Sequence, residues 1–424
     1  MNPRFRRFWA GLVLLFSSPW APAALAPDER ALADWLADKK EEMTALLERA
    51  VKIDSATENL AGVRAVADLF AAELAQAGLT PRWDPLPESM KRAGHLFAEH
   101  VGTKGKRLLL IGHLDTVLHG SAFSHDGDSG RGVGANDIKG GDVVLIYALK
   151  ALHAAGALDG VQIVVAMTGD EESAGDPVVD ARRALVDAAK RSDVALAFET
   201  ARAGEATVAR RGSSSWRLEV TGPTGHSGGI FSAAMGSGAV YETARIIEGF
   251  HTELRKLPGL TVNVARLAGG ATVKEVPFGL SAEGKENIIP AAAIAYGDLR
   301  AISPEQLGQA EAAMREVVAK NRPRTQPKLT VAHRYPPMAA VPRNLEILAV
   351  YDAVSRDLGH GAVAANDPAQ RGAGDSAFAA PHCAVLDGLG ANGGGAHTER
   401  ETVDLKTLTT QAARAAVLIY RLTR

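Results

Sequence analysis

Arg107-Leu108-Leu109-Leu110-Ile111-Gly112-His113-Leu114-Asp115-Thr116 contains an apolar run that is followed at once by polar residues. A continuous apolar run of this length predicts a strand that is buried on both faces, as in a parallel sheet. The runs at 161–166 and 194–198 follow the same pattern, and a helical segment at 141–155 separates the first two runs. Alternating strands and helices predict an α/β fold with a mostly parallel sheet. Ligands of such sheets bind in the loops at the carboxyl ends of the strands.

A second pattern begins near residue 214. Strand patterns are found at 216–220, 260–267, 291–300 and 328–333, and helical patterns at 233–254 and 304–320. Ser303 and Pro304 suit the N-cap and the first position of the last helix. The order strand, helix, strand, strand, helix, strand predicts a ferredoxin-like, or split βαβ, domain. We therefore expect one larger domain in two parts, 27–213 and 336–424, around an inserted domain at 214–335.

Residues 1–26 have the pattern of a cleavable secretory signal peptide. Arg4, Arg6 and Arg7 precede an apolar stretch at 8–16, and small residues follow as far as Ala26. The apolar stretch is too short to span a bilayer as a stable anchor. We expect a periplasmic or secreted protein, and an uncleaved membrane tether is the alternative interpretation.

The composition narrows the kinds of partner. A chain of 424 residues suits two domains, and a formal net charge of −2 gives no overall field that would favour nucleic acid or an anionic membrane. Cys383 is the single cysteine, so an intramolecular disulfide and a cysteine-rich zinc site are both excluded. Its apolar neighbours predict a buried side chain rather than a nucleophile.

Five polar clusters lie where such a fold should bind a ligand. They contain His113 with Asp115, Asp137, Glu171 with Glu172, Glu199, and His397. Each cluster alone has a plainer explanation, such as polar loop residues, a charge at a helix N-terminus or a solvated acidic loop. The three adjacent acids at 170–172 repel one another, however, and a divalent cation is the simplest compensation.

Together the clusters indicate a metal site. Histidine and carboxylate ligands without thiolates suit zinc, and also cobalt or manganese. A carboxylate shared by two metals gives a pair that polarises a carbonyl and lowers the pKa of a bridging water. A neighbouring carboxylate that binds no metal can then take the proton of that water. The sequence therefore predicts a two-metal hydrolytic site.

The same motifs resemble the M20 family of di-zinc metallopeptidases, and within it the glutamate carboxypeptidases. His113-x-Asp115, the loop 134–141, Glu171-Glu172, Glu199 and the run 393–398 occur in the family's order and span nearly the whole mature chain. The resemblance implies two zinc ions per subunit, with cobalt or manganese as alternatives.

The resemblance also implies a role for each motif residue. One zinc is bound by His113 and Glu199, the other by Glu172 and His397, and Asp137 bridges the two. Glu171 is the general base and later the proton donor, while Asp115 orients His113. The peptide bond after Asp137 is expected to be cis.

The inserted segment is similar to the lid of family members, which mediates dimerisation. The resemblance implies that His226 reaches a neighbouring active site and stabilises the oxyanion. Asn287 and Arg300 match the motifs that bind the substrate carboxylate, which Arg300 would hold by paired hydrogen bonds. Without the family context, His226 would serve equally well as a packing residue and Arg300 as half of a surface ion pair. We therefore expect a homodimer.

The chain departs from the family in two places. Residues 371–376 read Arg-Gly-Ala-Gly-Asp-Ser where the family usually has Gly-Gly-Thr/Ser-Asp. No lysine follows soon after Glu199, as it can in glutamate-specific enzymes, and Arg210 and Arg211 come somewhat later.

The resemblance implies a carboxypeptidase, with glutamate as one candidate for the released residue, or an N-acyl-amino-acid amidohydrolase. Its substrates would be small peptides or N-acyl amino acids. An aminopeptidase or dipeptidase of the same family and a non-catalytic periplasmic solute-binding protein are the alternatives.

Overall fold

The computed structural model of the protein describes residues 25–277 and 279–424. The predicted signal peptide, apart from its last two residues, lies outside these ranges. No helix within them combines the length and the hydropathy that crossing a bilayer requires.

The bounds of the elements are as follows. The helices are α1 (Pro27–Ala37), α2 (Lys40–Val51), α3 (Leu60–Gln76), α4 (Gly140–Ala154), α5 (Val178–Ala181), α6 (Arg183–Lys190), α7 (Gly238–Leu254), α8 (Pro304–Ala319), α9 (Pro342–Asp357), α10 (Ser376–Ala379) and α11 (Lys406–Leu422). The strands are β1 (Thr80–Pro85), β2 (Gly94–His100), β3 (Lys104–His113), β4 (Ser124–Asp126), β5 (Ser129–Arg131), β6 (Val161–Thr168), β7 (Val194–Ala197), β8 (Glu205–Ala206), β9 (Ser213–Thr221), β10 (Thr261–Gly270), β11 (Thr272–Val276), β12 (Gly279–Glu283), β13 (Ala292–Arg300), β14 (Gln326–Tyr335), β15 (Ala364–Ala365), β16 (Ala384–Leu386), β17 (Gly393–Gly394) and β18 (Thr402–Asp404).

The larger sheet has the strand order β1-β2-β6-β3-β7-β16. The three apolar runs of the sequence form its centre, because β3 pairs in parallel with β6 and β7, and β7 pairs in parallel with β16. Leu108 and Leu110 pack into one core cluster, and Leu109 and Ile111 pack into the cluster on the opposite face. The prediction of a strand buried on both faces is confirmed. Cys383 is buried as well.

The carboxyl ends of three strands meet at one edge of this sheet. β3 ends at His113, β6 ends just before the acids at 170–172, and β7 ends just before Glu199. Because the strands are parallel and adjacent, these polar groups come together at the edge where sheets of this kind bind ligands.

The second sheet is antiparallel, with the order β10-β13-β9-β14. Helices α7 and α8 pack on it around a core that contains Trp216, Phe250 and Met314. This is the predicted split βαβ arrangement, and the α/β fold class is confirmed. The predicted cap is present too, since Oγ of Ser303 accepts a hydrogen bond from the backbone N–H of Gln306 at 3.1 Å.

Two details differ from the sequence prediction. Helix α7 begins at Gly238 rather than near residue 233, because Gly236 and Gly238 both adopt a positive φ, which does not continue a right-handed helix. The hairpin of β11 and β12 between β10 and β13 was not predicted. Its strands are largely exposed, so they lack the apolar alternation that marks a half-buried strand.

The points at which the chain enters and leaves the second sheet are adjacent. Ser213, the first residue of β9, pairs with Tyr335, the last residue of β14. Next to this pair, the backbone N–H of Gly212 donates to the carbonyl of Ala301, just after β13. The division of the chain into domains at 213/214 and 335/336 stays a prediction.

Candidate metal centre

His113 is held at the end of β3 by Asp115. Nδ1 of His113 lies 3.1 Å from the backbone oxygen of Asp115 and 3.3 Å from its Oδ1. The Asp115 carboxylate is fully buried and accepts hydrogen bonds from Thr57 Oγ1 (2.7 Å) and from the backbone N–H groups of Glu171 (3.0 Å) and Glu172 (3.1 Å). Asp115 therefore fixes the histidine ring and ties it to the acidic loop.

Asp137 lies between the two histidines. Its Oδ1 is 3.5 Å from Nε2 of His113, and its Oδ2 is 3.2 Å from Nε2 of His397. Oε1 of Glu199 lies 3.8 Å from the same nitrogen of His113, and Oε2 of Glu172 lies 3.3 Å from that of His397. The structure thus gathers two ligand sets, one on each side of the Asp137 carboxylate.

These residues fit a pair of divalent cations. Nε2 of His113 is buried and has no hydrogen-bond partner among the described residues. Ligand atoms of His113, Asp137 and Glu172 all lie within 4.8 Å of one another. Nitrogen and carboxylate donors of this kind are the ligands that zinc, cobalt and manganese take.

The field at the site favours positive charge. Burial alone would lower the pKa of His113, but the neighbouring carboxylates of Asp115 and Asp137 raise it well above its usual value. Hydrogen bonds to Asp137 and Glu172 raise the pKa of His397 to about 10. The carboxylates that hold a proton on these rings would hold a metal cation in the same way.

The carboxylates repel one another in the absence of a cation. Burial, together with the charges of Glu199 and Glu172, raises the pKa of Glu171 well above its usual value. Burial and the charge of Asp137 also raise the pKa of Glu199 to about 7, although Arg210 lowers it. Bound cations would relieve this repulsion.

Glu401 anchors the loop that carries Asp137. Its buried carboxylate accepts backbone N–H groups of Gly134, Asn136 and Asp137, each at 2.8 Å. The Asp137–Ile138 peptide bond is cis, as the resemblance implied. Glu401 could not be recognised as a site residue from the sequence, because a lone acid just beyond the His397 run belongs to no motif.

His397 is presented by an unusual backbone conformation. Its φ is +64°, and Gly395 before it has a φ of +72°. Residues other than glycine rarely adopt this region, and where they do the conformation often serves a site. Here it turns the ring towards Asp137 and Glu172, with the side chain 56% exposed.

The acidic loop at 170–172 is compensated in part by a buried arginine. Arg182, which is fully buried, donates to the carboxylates of Asp170 (2.5 Å) and Asp375 (2.6 Å). The sequence interpretation, in which a metal compensates all three acids, is therefore too simple for Asp170. Glu171 and Glu172 remain to face the metal centre.

Two more arginines lie beside Glu199. Arg210 is buried, donates to Asp387 at 2.5 Å, and places Nη2 3.6 Å from Oε2 of Glu199. Arg371, from the stretch that departs from the family, donates through Nη1 to Thr200 Oγ1 at 3.2 Å. Nε and Nη2 of Arg371 are buried and have no partner among the described residues. The contact of Arg371 with the residue after Glu199 could not be read from the sequence.

The three residues expected to bind substrate in the second sheet are not brought together. His226 forms a bridge with Ile288, and the N–H of Ser227 donates to the carbonyl of Asn287 at 2.9 Å, so His226 and Asn287 are neighbours. Arg300 ends β13, and its Nε donates to Asp298 at 3.0 Å. Since strands rise about 3.3 Å per residue, the length of β13 puts Arg300 about 26 Å beyond the end near Asn287.

The end with Arg300 is the one that faces the metal centre. Tyr335 lies at that end, and its hydroxyl donates to the backbone oxygen of Glu171 at 2.5 Å. His226 and Asn287 therefore lie at the opposite end of the second sheet from Arg300 and the metal centre. The roles of these three residues stay predictions.

Comparisons with known proteins agree with this architecture. The sequence model of peptidase family M20/M25/M40 matches residues 109–421. Carboxypeptidase G2 of Pseudomonas sp. (strain RS-16) is 27% identical over 440 residues, which cover 100% of this chain and 99% of that relative.

Solved structures show the same fold at lower sequence identity. Aminopeptidase PepT from Bacillus cereus has a TM-score of 0.71 at 17% identity and covers 91% of this chain and 99% of its own. Human carnosine dipeptidase 1 has a TM-score of 0.59 at 15% identity, with coverages of 93% and 99%. At these identities the likeness concerns the fold alone.

Proposed function

Since this chain belongs to peptidase family M20/M25/M40, we propose that it is a metal-dependent carboxypeptidase or N-acyl-amino-acid amidohydrolase. The observation that carries the proposal is the Asp137 carboxylate, which directs one oxygen towards each of two histidines. His113 and Glu199 would hold one zinc ion, Glu172 and His397 the other, and Asp137 both. Cobalt and manganese suit the same ligands.

Two cations bound here would polarise the scissile carbonyl and lower the pKa of a water between them. Glu171 would accept the proton of that water and deliver it to the leaving nitrogen. Glu171 suits both steps, because its carboxylate is not among the proposed metal ligands and can take a proton and later release it. Asp115 would keep His113 in the tautomer that leaves Nε2 free for the metal.

The substrate carboxylate would bind Arg300 of the same chain. His226 and Asn287 would come from a second copy, because β13 separates them from Arg300 and from the adjoining metal centre. His226 would stabilise the oxyanion. A homodimer follows from this arrangement, and the site would be incomplete in a monomer.

The residue released would be acidic, with glutamate as the first candidate. The charge of Arg210 is balanced by Asp387, to which it donates a hydrogen bond, while Glu199 would bind the metal. Arg371 therefore adds a buried positive charge whose Nε and Nη2 find no partner within residues 25–277 and 279–424. These two donors lie on one edge of the guanidinium, and that edge matches a carboxylate. Movement of the turn at 372–374, where Gly372 faces open space, would admit the ligand.

The first experiment is release of free amino acid by the zinc-loaded mature protein. The panel contains folate-type and simple N-acyl glutamates, N-acyl derivatives of neutral amino acids, and dipeptides with a free amine. The Glu171→Gln variant is the control, and we expect it to keep its zinc and lose nearly all turnover.

The outcomes separate the candidate functions. Release from the N-acyl amino acids by the wild type alone supports the proposal. Cleavage restricted to free-amine dipeptides identifies an aminopeptidase or dipeptidase instead. Zinc binding without turnover of any compound identifies a non-catalytic binding protein, and substantial activity of Glu171→Gln contradicts the role of Glu171.

We also propose export to the periplasm or medium on the basis of residues 1–26. Amino-terminal sequencing of the protein recovered from each cell fraction tests this. A protein that keeps residue 1 and stays in the cytoplasm would contradict it.

A further inference from the structure

We propose that Tyr335 is a positioning residue, whose hydroxyl ties the end of the second sheet to the backbone of Glu171. The proposal rests on the proposed function only in that Glu171 is taken as the base. The Tyr335 hydroxyl accepts a hydrogen bond from Nη2 of Arg182 at 3.0 Å and donates to the carbonyl oxygen of Glu171 at 2.5 Å. One hydroxyl thus connects an ionic cluster to the loop that carries the base.

The ionic cluster that contacts Tyr335 is held together by several buried hydrogen bonds. Arg182 is fully buried and holds Asp170 and Asp375 through separate nitrogens, while Thr168 donates to Asp375 at 2.5 Å. Breaking any of these contacts would leave a buried charge unpaired, which is costly. The Tyr335 oxygen is therefore held at a fixed position relative to β6 and the acidic loop.

The hydroxyl has the protonation state that this role requires. Burial raises the pKa of Tyr335 far above its usual value, so the group stays a donor throughout the range in which the protein works. The ring packs edge-to-face on Phe378 with centroids 5.3 Å apart. Replacing tyrosine by phenylalanine would keep this packing and remove only the two hydrogen bonds.

Tyr335 lies where the chain passes from the second sheet back to the larger domain. Tyr335 ends β14 and pairs with Ser213, which begins β9, so both crossings between the two sheets lie at this point. The Tyr335 hydroxyl therefore holds the backbone of Glu171 relative to the strand ends at which the two sheets join.

The test compares Tyr335→Phe with Tyr351→Phe in the zinc-loaded protein. Tyr351 is also buried, and its hydroxyl contacts Gln411 at 3.2 Å within the core, so it reports the general effect of losing a buried hydroxyl. For Tyr335→Phe we expect kcat to fall about tenfold while KM and zinc affinity stay within about twofold. For Tyr351→Phe we expect kcat within about twofold of wild type.

Amide hydrogen exchange supplies a readout that needs no substrate. We expect the amides of residues 170–175 to exchange about tenfold faster in Tyr335→Phe than in the wild type, and to be unchanged in Tyr351→Phe. Unchanged exchange in this segment together with unchanged kcat would overturn the proposal. If the wild type hydrolyses nothing in the panel, the proposed function fails, and the exchange result alone still decides whether Tyr335 orders the Glu171 loop.

Discussion

Replacing Glu401 by glutamine should loosen the loop that carries Asp137. Oε1 of Glu401 accepts two backbone N–H groups, from Asn136 and Asp137, and Oε2 accepts the third, from Gly134. A glutamine oxygen can keep the first pair. The amide NH₂ would then face the Gly134 N–H, leaving two donors opposed in a buried place.

The size of the effect follows from these contacts. A hydrogen bond to a charged group contributes roughly 1.5–3 kcal/mol, and a buried donor without a partner costs about 1–3 kcal/mol. The lost hydrogen bond at Gly134 and the weaker bonds from Asn136 and Asp137 to a neutral oxygen together cost roughly 3 kcal/mol. This free energy corresponds to about 150-fold in an equilibrium constant. Part of it would appear as lower stability and part as a zinc affinity about 10–100-fold lower, as for other residues that support metal ligands.

Competition with a chromophoric chelator measures zinc affinity, and thermal unfolding of the metal-free protein measures stability. Glu399→Gln is the matched control, because it makes the same chemical change at an exposed position two residues earlier. An unchanged Tm together with a zinc affinity within about threefold of wild type in Glu401→Gln would refute the reasoning.

Three further variants test other features of the site. Asp142 is fully buried, and neither of its oxygens has a hydrogen-bond partner in the part of the chain that the structure describes; burial raises its pKa, so its charge destabilises the fold above its ordinary pKa. Asp142→Asn should raise the Tm of the metal-free protein by about 2–4 °C at pH 7 and by nothing near pH 4, and a lower Tm at pH 7 would contradict this. The raised pKa of His397 stabilises the metal-free fold below pH 6.5, and this contribution is lost as the pH rises to about 10. The Tm of the metal-free wild type should fall as the pH rises across that window, and the Tm of His397→Gln should fall less. An equal decrease of Tm with pH in both proteins would exclude His397 as the cause of the decrease. Arg371→Gln should lower kcat/KM about 10–100-fold for acidic released residues and less than about threefold for neutral ones. The exposed neighbour Arg202 provides the control variant Arg202→Gln, and an unchanged preference in Arg371→Gln would remove Arg371 from substrate recognition.

Local pattern was enough to predict much of the fold. The run at 108–111 is buried on both faces of the sheet, and for this reason its sequence is apolar throughout instead of alternating with polar residues. The cap at Ser303 depends on a residue three positions away, so it too is visible in the sequence. His113, Asp137, Glu172, Glu199 and His397 were found because each follows a recognisable strand, turn or glycine run, and the structure brings all five together.

The missed residues act across large sequence separations. Glu401 contacts Asp137 from 264 residues away, and Arg182 contacts Asp375 across 193 residues. Neither residue belongs to a periodic pattern, and each is an ordinary charged residue until its partner is known. The positions of Asn287 and Arg300 could not be predicted for a different reason. A motif identifies a type of residue, but the direction and length of β13 decide which active site it can reach.

The C-terminal part of the chain adds the last strand and the last helix of the larger domain. β16 joins β7 in the larger sheet, α11 packs against α1 and α4, and His397 and Glu401 lie between them. Because a ribosome delivers the chain from its N-terminus, residues 384–424 emerge after the other described strands and helices. A nascent chain that stops before them has its second sheet complete and four of the five proposed metal ligands, but it lacks His397 and one strand of the larger sheet. Such a chain would therefore lack both C-terminal contacts of Asp137, the ring of His397 and the Glu401 carboxylate that holds the Asp137 backbone.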